Sequence, residues 1–257
     1  MRETINSPVS PLLVAFVMLV IGMTVFAWSW AVRRPVAPQA VDGIAAGAPS
    51  TPSMEKPRVY AAVGASDVVG VGADNPAGES WVNVVHGMMP AGTQFIRLGR
   101  GGITLREANL VEIPRAVEAQ PDIVTLWNCV NDAIGGVPVA SYTSDLKQAL
   151  DTLTRKTQAR IVVLNIPDIS SLMAGHLDPQ QRQMVRGGIL QWNAAIANTS
   201  AQYGDRVKLV DLFPISGEIA EHPEYISPDN FHPSTTGYRR LAEVVWQTIE
   251  REKLLAR

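Results

Sequence analysis

Short apolar runs alternate with longer amphipathic stretches from residue 58 onward. Each run is rich in β-branched residues, which is typical of strands buried on both faces of a parallel sheet. The runs predict strands at Val59–Val63, Thr93–Leu98, Ile123–Trp127, Ile161–Leu164 and Val207–Leu212.

Several of the stretches between and after these runs have helical spacing. Apolar residues recur every three or four positions, which indicates one buried stripe on each helix. The stripes are Leu146, Leu150 and Leu153; Val185, Ile189, Trp192 and Ile196; and Leu241, Val244, Val245 and Ile249, in a last helix that begins at about Ser234. Strands that alternate with helices predict a three-layer α/β/α domain around a parallel sheet.

The amino-terminal part of the chain has a different pattern. An uncharged apolar run extends from Pro11 to Val32, and its helical length of about 33 Å would cross a hydrocarbon core of about 30 Å. Trp28 and Trp30 lie at its end, where indole rings favour the membrane interface. The run is long for the apolar part of a signal peptide, which has about 7–15 residues. We therefore predict a retained single-pass membrane anchor, with a cleaved signal peptide as the alternative.

The segment that follows the anchor is rich in Pro, Ala and Gly and has no periodicity, so it is expected to be a flexible linker. The predicted organisation is a tail (1–10), an anchor (11–32), a linker (33–57) and a folded domain (58–257). Arg33 and Arg34 favour a cytoplasmic domain by charge count. Large domains after an amino-terminal anchor are nevertheless commonly exported, and we expect the extracytoplasmic side of the cell membrane.

Composition narrows the classes of function. The chain is 46% hydrophobic and 18% charged, which is ordinary for a globular protein. Lys and Arg number 22 against 24 Asp and Glu, so the basic excess of a nucleic-acid-binding protein is missing. A single cysteine excludes an internal disulfide and a cysteine-rich zinc site, and the histidines lack metal-binding spacing. We expect no cofactor, no metal and no nucleic-acid partner.

Polar residues and glycines follow the predicted strands. Ser66 comes after the first strand, Gly102 after the second and Asn131 after the third, while Asp229 and His232 precede the last helix. Ligands bind beyond the carboxyl ends of the strands in open α/β sheets. Each residue alone is most simply a turn, cap or surface residue, but their combination in this order indicates a catalytic site.

These residues and their order resemble the SGNH, or GDSL-type, hydrolase family over residues 58–257. The four segments that resemble the family are VGASDVVGVGA, RLGRGGITLREA, PDIVTLWNCVND and DNFHPSTTGYRRLAE. The resemblance implies a flavodoxin-like five-stranded parallel sheet and an esterase or acyl-hydrolase activity. It also implies a catalytic set of Ser66, His232 and Asp229, and an oxyanion hole formed by Ser66, Gly102 and Asn131.

Acyl transfer needs these residue types. A serine hydroxyl is a weak nucleophile and requires an adjacent base, the role implied for His232. Asp229 would orient the imidazole, and preorganised donors would stabilise the negative charge that develops on the carbonyl oxygen. The α/β-hydrolase fold is excluded, because its Gly-x-Ser-x-Gly motif needs a glycine where this chain has Val68.

Two positions depart from the family pattern. The family has an acid before the serine, where this chain has Ala65, and we expect Asp67 to replace it in part. The family has a glycine where this chain has Cys129, whose side chain is expected to narrow the site or tilt Asn131.

The main hypothesis is a membrane-tethered serine esterase that acts on a small-molecule, lipid or glycan ester. The alternative is a catalytically weakened domain that binds an acylated lipid or glycan.

Overall fold

The computed structural model describes residues 57–170 and 177–256. The predicted tail and anchor, and all of the predicted linker except Pro57, lie outside the described residues. No helix within 57–170 and 177–256 combines the length and apolar character needed to cross a bilayer.

The strands form one parallel sheet of five in the order β2-β1-β3-β4-β5. This order belongs to the flavodoxin-like class of doubly wound sheets, and the predicted fold is confirmed for the described domain. The bounds of the strands are β1 Val59–Gly64, β2 Gln94–Gly99, β3 Ile123–Trp127, β4 Arg160–Leu164 and β5 Val207–Val210.

The end of β5 differs from its prediction. The strand was expected to continue to Leu212 but ends at Val210. The Asn165 side chain explains the early end, because its Oδ1 accepts the Leu212 N–H at 2.7 Å. A side chain thus takes a backbone N–H that a longer strand would give to the sheet.

Two helical layers cover the sheet. The longer helices are α3 Trp81–Met88, α4 Leu105–Glu118, α6 Val139–Lys156, α7 Pro179–Ala201 and α9 Thr235–Arg251. The short ones are α1 Ser66–Val69, α2 Pro76–Glu79, α5 Val130–Ile134 and α8 Gly217–Glu221. Helix α6 packs against α4 and α7, whereas α3 packs against α9. The predicted stripes of α6, α7 and α9 are buried, apart from the half-buried Val244.

Helix α4 was not predicted from the apolar pattern. Its interior contains Pro114, which lacks an N–H, and its buried face includes the acidic Glu112. The helix is instead defined by its start, where Thr104 and Glu107 form a reciprocal capping box. This cap fixes the chain directly after the Gly102 turn.

Candidate active site

The turn that contains Ser66 is short. Strand β1 ends at Gly64 and helix α1 begins at Ser66, so Ala65 alone separates them. Ser66 is half-buried and lies at the carboxyl edge of the sheet. Because it opens a helix, its N–H has no acceptor within that helix.

The Asp67 carboxylate lies under this turn. Its Oδ1 accepts the Ala65 N–H at 3.0 Å, and its Oδ2 accepts the Trp81 indole N–H at 2.8 Å. Burial raises the pKa of Asp67 to about 6, although these hydrogen bonds oppose the shift. An acid therefore supports the turn from the position after the serine, as we expected for Asp67.

Ser66, His232 and Asp229 form a continuous hydrogen-bonded chain. The His232 Nε2 lies 2.9 Å from the Ser66 Oγ, and the His232 Nδ1 lies 2.7 Å from the Asp229 Oδ2. A carboxylate only accepts hydrogen bonds, so a neutral His232 carries its proton on Nδ1. The Nε2 atom is then the acceptor for the Ser66 hydroxyl proton.

The loop before α9 holds Asp229 in its ionised form. Its Oδ1 accepts the Phe231 and His232 N–H groups at 2.8 Å each, and the Ser227 hydroxyl at 2.7 Å. Burial opposes ionisation, but the hydrogen bonds outweigh it and keep the pKa of Asp229 below its usual value. Asn230 has a φ of 60°, a conformation that asparagine tolerates better than most residues. This turn brings the carboxylate back to the imidazole.

Gly72 allows the loop after α1 to approach the His232 loop. It has a φ of +96°, and a Cβ there would lie 2.5 Å from the Pro233 carbonyl oxygen and 3.0 Å from the His232 Cβ. The Tyr238 hydroxyl adds a hydrogen bond of 2.7 Å to the Val71 carbonyl. Sequence reasoning missed Gly72, because its requirement for glycine comes from a residue that is distant in the chain.

Ile103, the residue after Gly102, connects the Gly102 turn to Asn131. Gly102 has a φ of +76°, which favours glycine, and a Cβ there would meet none of the described residues within 4 Å. The Asn131 side-chain amide donates to the Ile103 carbonyl at 3.0 Å. This bond uses one of two amide hydrogens, so a second donor remains on the nitrogen.

The neighbouring Asp132 ties the same loop to the start of α4. Its Oδ2 accepts the Leu105 N–H at 2.9 Å, and burial raises the pKa of Asp132 to about 7. Sequence reasoning missed this contact. Its signal was an acid next to Asn131, but the partner lies on another strand–helix connection.

Cys129 belongs to the core. Its side chain is fully buried, and the thiol lies 3.7 Å from the Leu164 carbonyl oxygen on β4. Burial raises the pKa of the thiol well above its usual value, which disfavours a thiolate nucleophile. The thiol therefore lies against β4, and Asn131 keeps its contact with Ile103.

The described side chains meet in an arrangement that can carry out acyl transfer. Within 57–170 and 177–256, no group of His, Cys, Asp and Glu side chains could hold a metal ion. The geometry instead joins a serine hydroxyl, an imidazole and a carboxylate, next to a glycine turn and a side-chain amide.

Comparison with known proteins identifies the family and the fold. Residues 62–240 match the profile of the GDSL-like lipase/acylhydrolase family. No curated protein sequence matches the chain.

Three solved structures illustrate the shared fold. The crystal structure of TesA has a TM-score of 0.61 at 20% identity and covers 76% of this chain and 99% of its own. The family 3 carbohydrate esterase of Clostridium thermocellum has a TM-score of 0.59 at 20% identity, covering 79% and 100%. A catalytic mutant of Axe2, an acetylxylan esterase from Geobacillus stearothermophilus, has a TM-score of 0.60 at 17% identity, covering 75% and 94%.

The family profile spans most of the chain, and its match agrees with the motifs quoted from the sequence. The structural neighbours share the α/β/α fold over nearly their whole length. The predicted family is therefore confirmed: this chain belongs to the GDSL-like lipase/acylhydrolase family and is a hydrolase of carboxylic esters.

Proposed function

We propose that this protein is a membrane-tethered serine esterase that removes an acyl or acetyl group from an ester through Ser66, His232 and Asp229. The observation that supports it best is the hydrogen-bonded chain from the Ser66 Oγ through both nitrogens of His232 to the Asp229 carboxylate. Each contact has the length expected for proton transfer or orientation.

The first half of the reaction forms an acyl-enzyme. The Ser66 Oγ attacks the ester carbonyl carbon while the His232 Nε2 takes its proton. The carbonyl oxygen gains negative charge, which the N–H groups of Ser66 and Gly102 and the Asn131 amide stabilise. The carbon–oxygen bond to the alcohol then breaks, and the alcohol leaves with the proton from His232.

The second half releases the acid. A water molecule gives a proton to the His232 Nε2 and attacks the acyl carbon. The bond to the Ser66 Oγ breaks, and the proton returns to that oxygen. In both halves Asp229 accepts a hydrogen bond from the Nδ1–H group, which stays on the imidazole, and stabilises the charged imidazolium.

Glycan and lipid esters are the substrate classes that we propose. The names of two structural neighbours specify a carbohydrate esterase and an acetylxylan esterase, which favours an acetylated glycan. The family description also includes lipases, which favours an acyl lipid. The proposed anchor at Pro11–Val32 would place the domain near either substrate at the cell envelope.

A binding function without turnover is the second candidate. Its support is the departure from the family pattern at Ala65 and Cys129. The contacts of Asp67 and the core position of the Cys129 thiol weaken this support, because neither change removes a member of the hydrogen-bonded chain.

Hydrolysis of p-nitrophenyl acetate by the full chain in detergent tests the esterase. The purified protein should release p-nitrophenol, and Ser66→Ala should lower the rate to background. Ser144→Ala, on the exposed face of α6, is the matched control and should keep the wild-type rate. Equal rates for wild type and Ser66→Ala would contradict the proposal and leave ligand binding as the function to examine.

A further inference from the structure

The Asp67 carboxylate connects the Ser66 turn to a rigid part of the core. One oxygen accepts the Ala65 N–H and the other accepts the Trp81 indole N–H. Trp81 is fully buried in α3, and its ring packs edge-on against Trp127 of β3 at 6.2 Å. The indole is therefore a fixed donor, and the carboxylate is held at both oxygens.

This contact determines the orientation of the peptide before Ser66. Asp67 accepts the N–H of Ala65, and the Ala65 carbonyl accepts the Val69 N–H at 3.2 Å. Both backbone polar groups of Ala65 are thus occupied. The peptide bond from Ala65 to Ser66 is planar, so the direction of the Ser66 N–H follows from that of the Ala65 carbonyl.

We propose that Asp67 is a positioning residue for ester hydrolysis, and that its ionised carboxylate holds the hydroxyl and N–H of Ser66 in the reactive arrangement. The inference rests on the proposed role of Ser66 as nucleophile. A carboxylate offers acceptors to both donors, whereas a carboxylic acid or an amide presents a hydrogen to one of them. Protonation of Asp67 therefore breaks one of the two bonds.

Asp67 changes its ionisation state within the pH range in which enzymes commonly work. Burial raises its pKa to about 6, against the hydrogen bonds from Trp81 and Ala65 and the nearby His232. The other ionisable groups that interact with it electrostatically are Tyr60, Glu112, Cys129 and Tyr238. Burial raises the pKa of each of these four groups, so all of them are predominantly uncharged near pH 6.

Protonation of Asp67 should reduce activity on the acid side. The proposed positioning role needs an ionised Asp67 to hold the turn. As pH falls below about 6, Asp67 gains a proton and the turn loses an acceptor. The protonated wild-type protein should then resemble an Asp67→Asn variant, so the ratio of their kcat values should approach one on the acid side.

The test is Asp67→Asn in the full chain, with p-nitrophenyl acetate as substrate. We expect kcat at pH 8 to fall by about 10- to 100-fold with little change in KM, because misplacement of a reacting group costs this much. Below about pH 6 the kcat values of wild type and Asp67→Asn should converge, because the wild-type Asp67 is then protonated. Glu112→Gln removes another buried acid outside the site and should keep the wild-type kcat at both pH values.

Trp81→Phe tests the same hydrogen bond by changing its donor instead of its acceptor. It removes the indole donor, so kcat should fall, and the double variant with Asp67→Asn should lose little more than Asp67→Asn alone. Additive losses in the double variant would contradict a shared role. Thermal unfolding of each variant shows whether it is folded at the assay temperature.

The outcomes separate this inference from the proposed function. If Ser66→Ala keeps wild-type activity, the proposed function is wrong. If Ser66→Ala is inactive but Asp67→Asn keeps the wild-type kcat and pH profile, the positioning role alone is wrong. Should Asp67→Asn not fold, Trp81→Phe decides, and a wild-type kcat in a folded Trp81→Phe protein at pH 8 overturns the inference.

Discussion

The hydrogen bonds around His232 decide which of its nitrogens can accept a proton. The Asp229 Oδ2 lies at Nδ1, while the Asp229 Oδ1 already accepts three other donors. The carboxylate is thus held without a protonated oxygen, and Nε2 is left facing the Ser66 hydroxyl. The base of the proposed reaction is defined by these contacts.

Asp229→Asn should reverse this arrangement. An amide can donate to Nδ1, which moves the imidazole proton to Nε2 and removes the base from Ser66. We expect kcat to fall by about 10⁴-fold, the loss seen when a serine hydrolase has the wrong imidazole tautomer. Steady-state kinetics measures the effect, with Asp205→Asn at an exposed position as the control. A loss of less than tenfold would contradict the assigned role.

Asn131→Ala tests the oxyanion hole. The Asn131 amide has a second hydrogen beyond its bond to Ile103, and this donor is assigned to the developing negative charge. Removal of one such donor costs about 10²- to 10³-fold in kcat. Asn198→Ala, exposed on α7, should retain the wild-type kcat in the same assay. An unchanged kcat in Asn131→Ala would show that the amide only holds the loop.

At the residue level, the sequence predicted best those functional residues that can be recognised from their order and spacing along the chain. Ser66, Asp229 and His232 were predicted from spacing and resemblance, and the structure joins them by hydrogen bonds. The contacts of Asp67 with Trp81 and of Asp132 with Leu105 were not predictable. The Asp132–Leu105 contact joins two strand–helix connections that meet only in the folded sheet. The Asp67–Trp81 contact joins two helices of the one connection between β1 and β2, and it depends on how these helices pack.

At the level of elements, strands were predicted more completely than helices. Each strand coincides with a predicted apolar run, and all five were found with ends within two residues of those observed, the largest difference being at Val210. The prediction of burial on both faces was wrong for the edge strand β2, of which only Leu98 is buried. Helix α4 was missed because its buried face includes Glu112 and its interior includes Pro114. Tertiary packing and a capping box, rather than an apolar stripe, define this helix.

Glu112 links helix α4 to the pH dependence of stability. Its side chain is buried, and its Oε2 has no hydrogen-bond partner among the described residues. Burial raises its pKa from 4.5 to about 8. The folded protein therefore keeps a proton that the unfolded chain releases between these pH values, and this group's contribution to stability is lost as pH rises through about 8.

Glu112→Gln should remove that dependence. The variant should unfold with a free energy about 1–3 kcal/mol higher than wild type at pH 9, and with a much smaller difference at pH 4.5. Urea unfolding at the two pH values measures the change. Glu118→Gln, exposed on the same helix, is the control and should match wild type at both. A difference that does not grow with pH would contradict the buried-acid account.

For the whole molecule, the sheet order explains why distant segments form one site. Strands β2, β1 and β3 are neighbours, so the turns after them meet at one edge, and the loop before α9 joins them there. The sequence predicted this edge because parallel strands end on the same side. It did not predict the close approach at Gly72, which depends on the depth to which two loops pack.

The proposed anchor predicts how the full chain partitions. If Pro11–Val32 spans the bilayer, the full chain should stay with membranes after alkaline carbonate extraction, because the apolar run is long enough to cross the hydrocarbon core. Protease added outside intact cells should degrade the domain if it is extracytoplasmic. The control is a chain that begins at residue 58 and so lacks the apolar run. Release of the full chain by carbonate would contradict the anchor.

Fluorophosphonate labelling of the full chain tests the central claim most directly, because the reagent reacts with activated serines. Peptide mass spectrometry of the labelled protein locates the adduct, with Ser66→Ala as the control. We expect one adduct on Ser66, and none in Ser66→Ala. A folded wild-type protein that stays unlabelled at Ser66 would contradict the serine esterase proposed here.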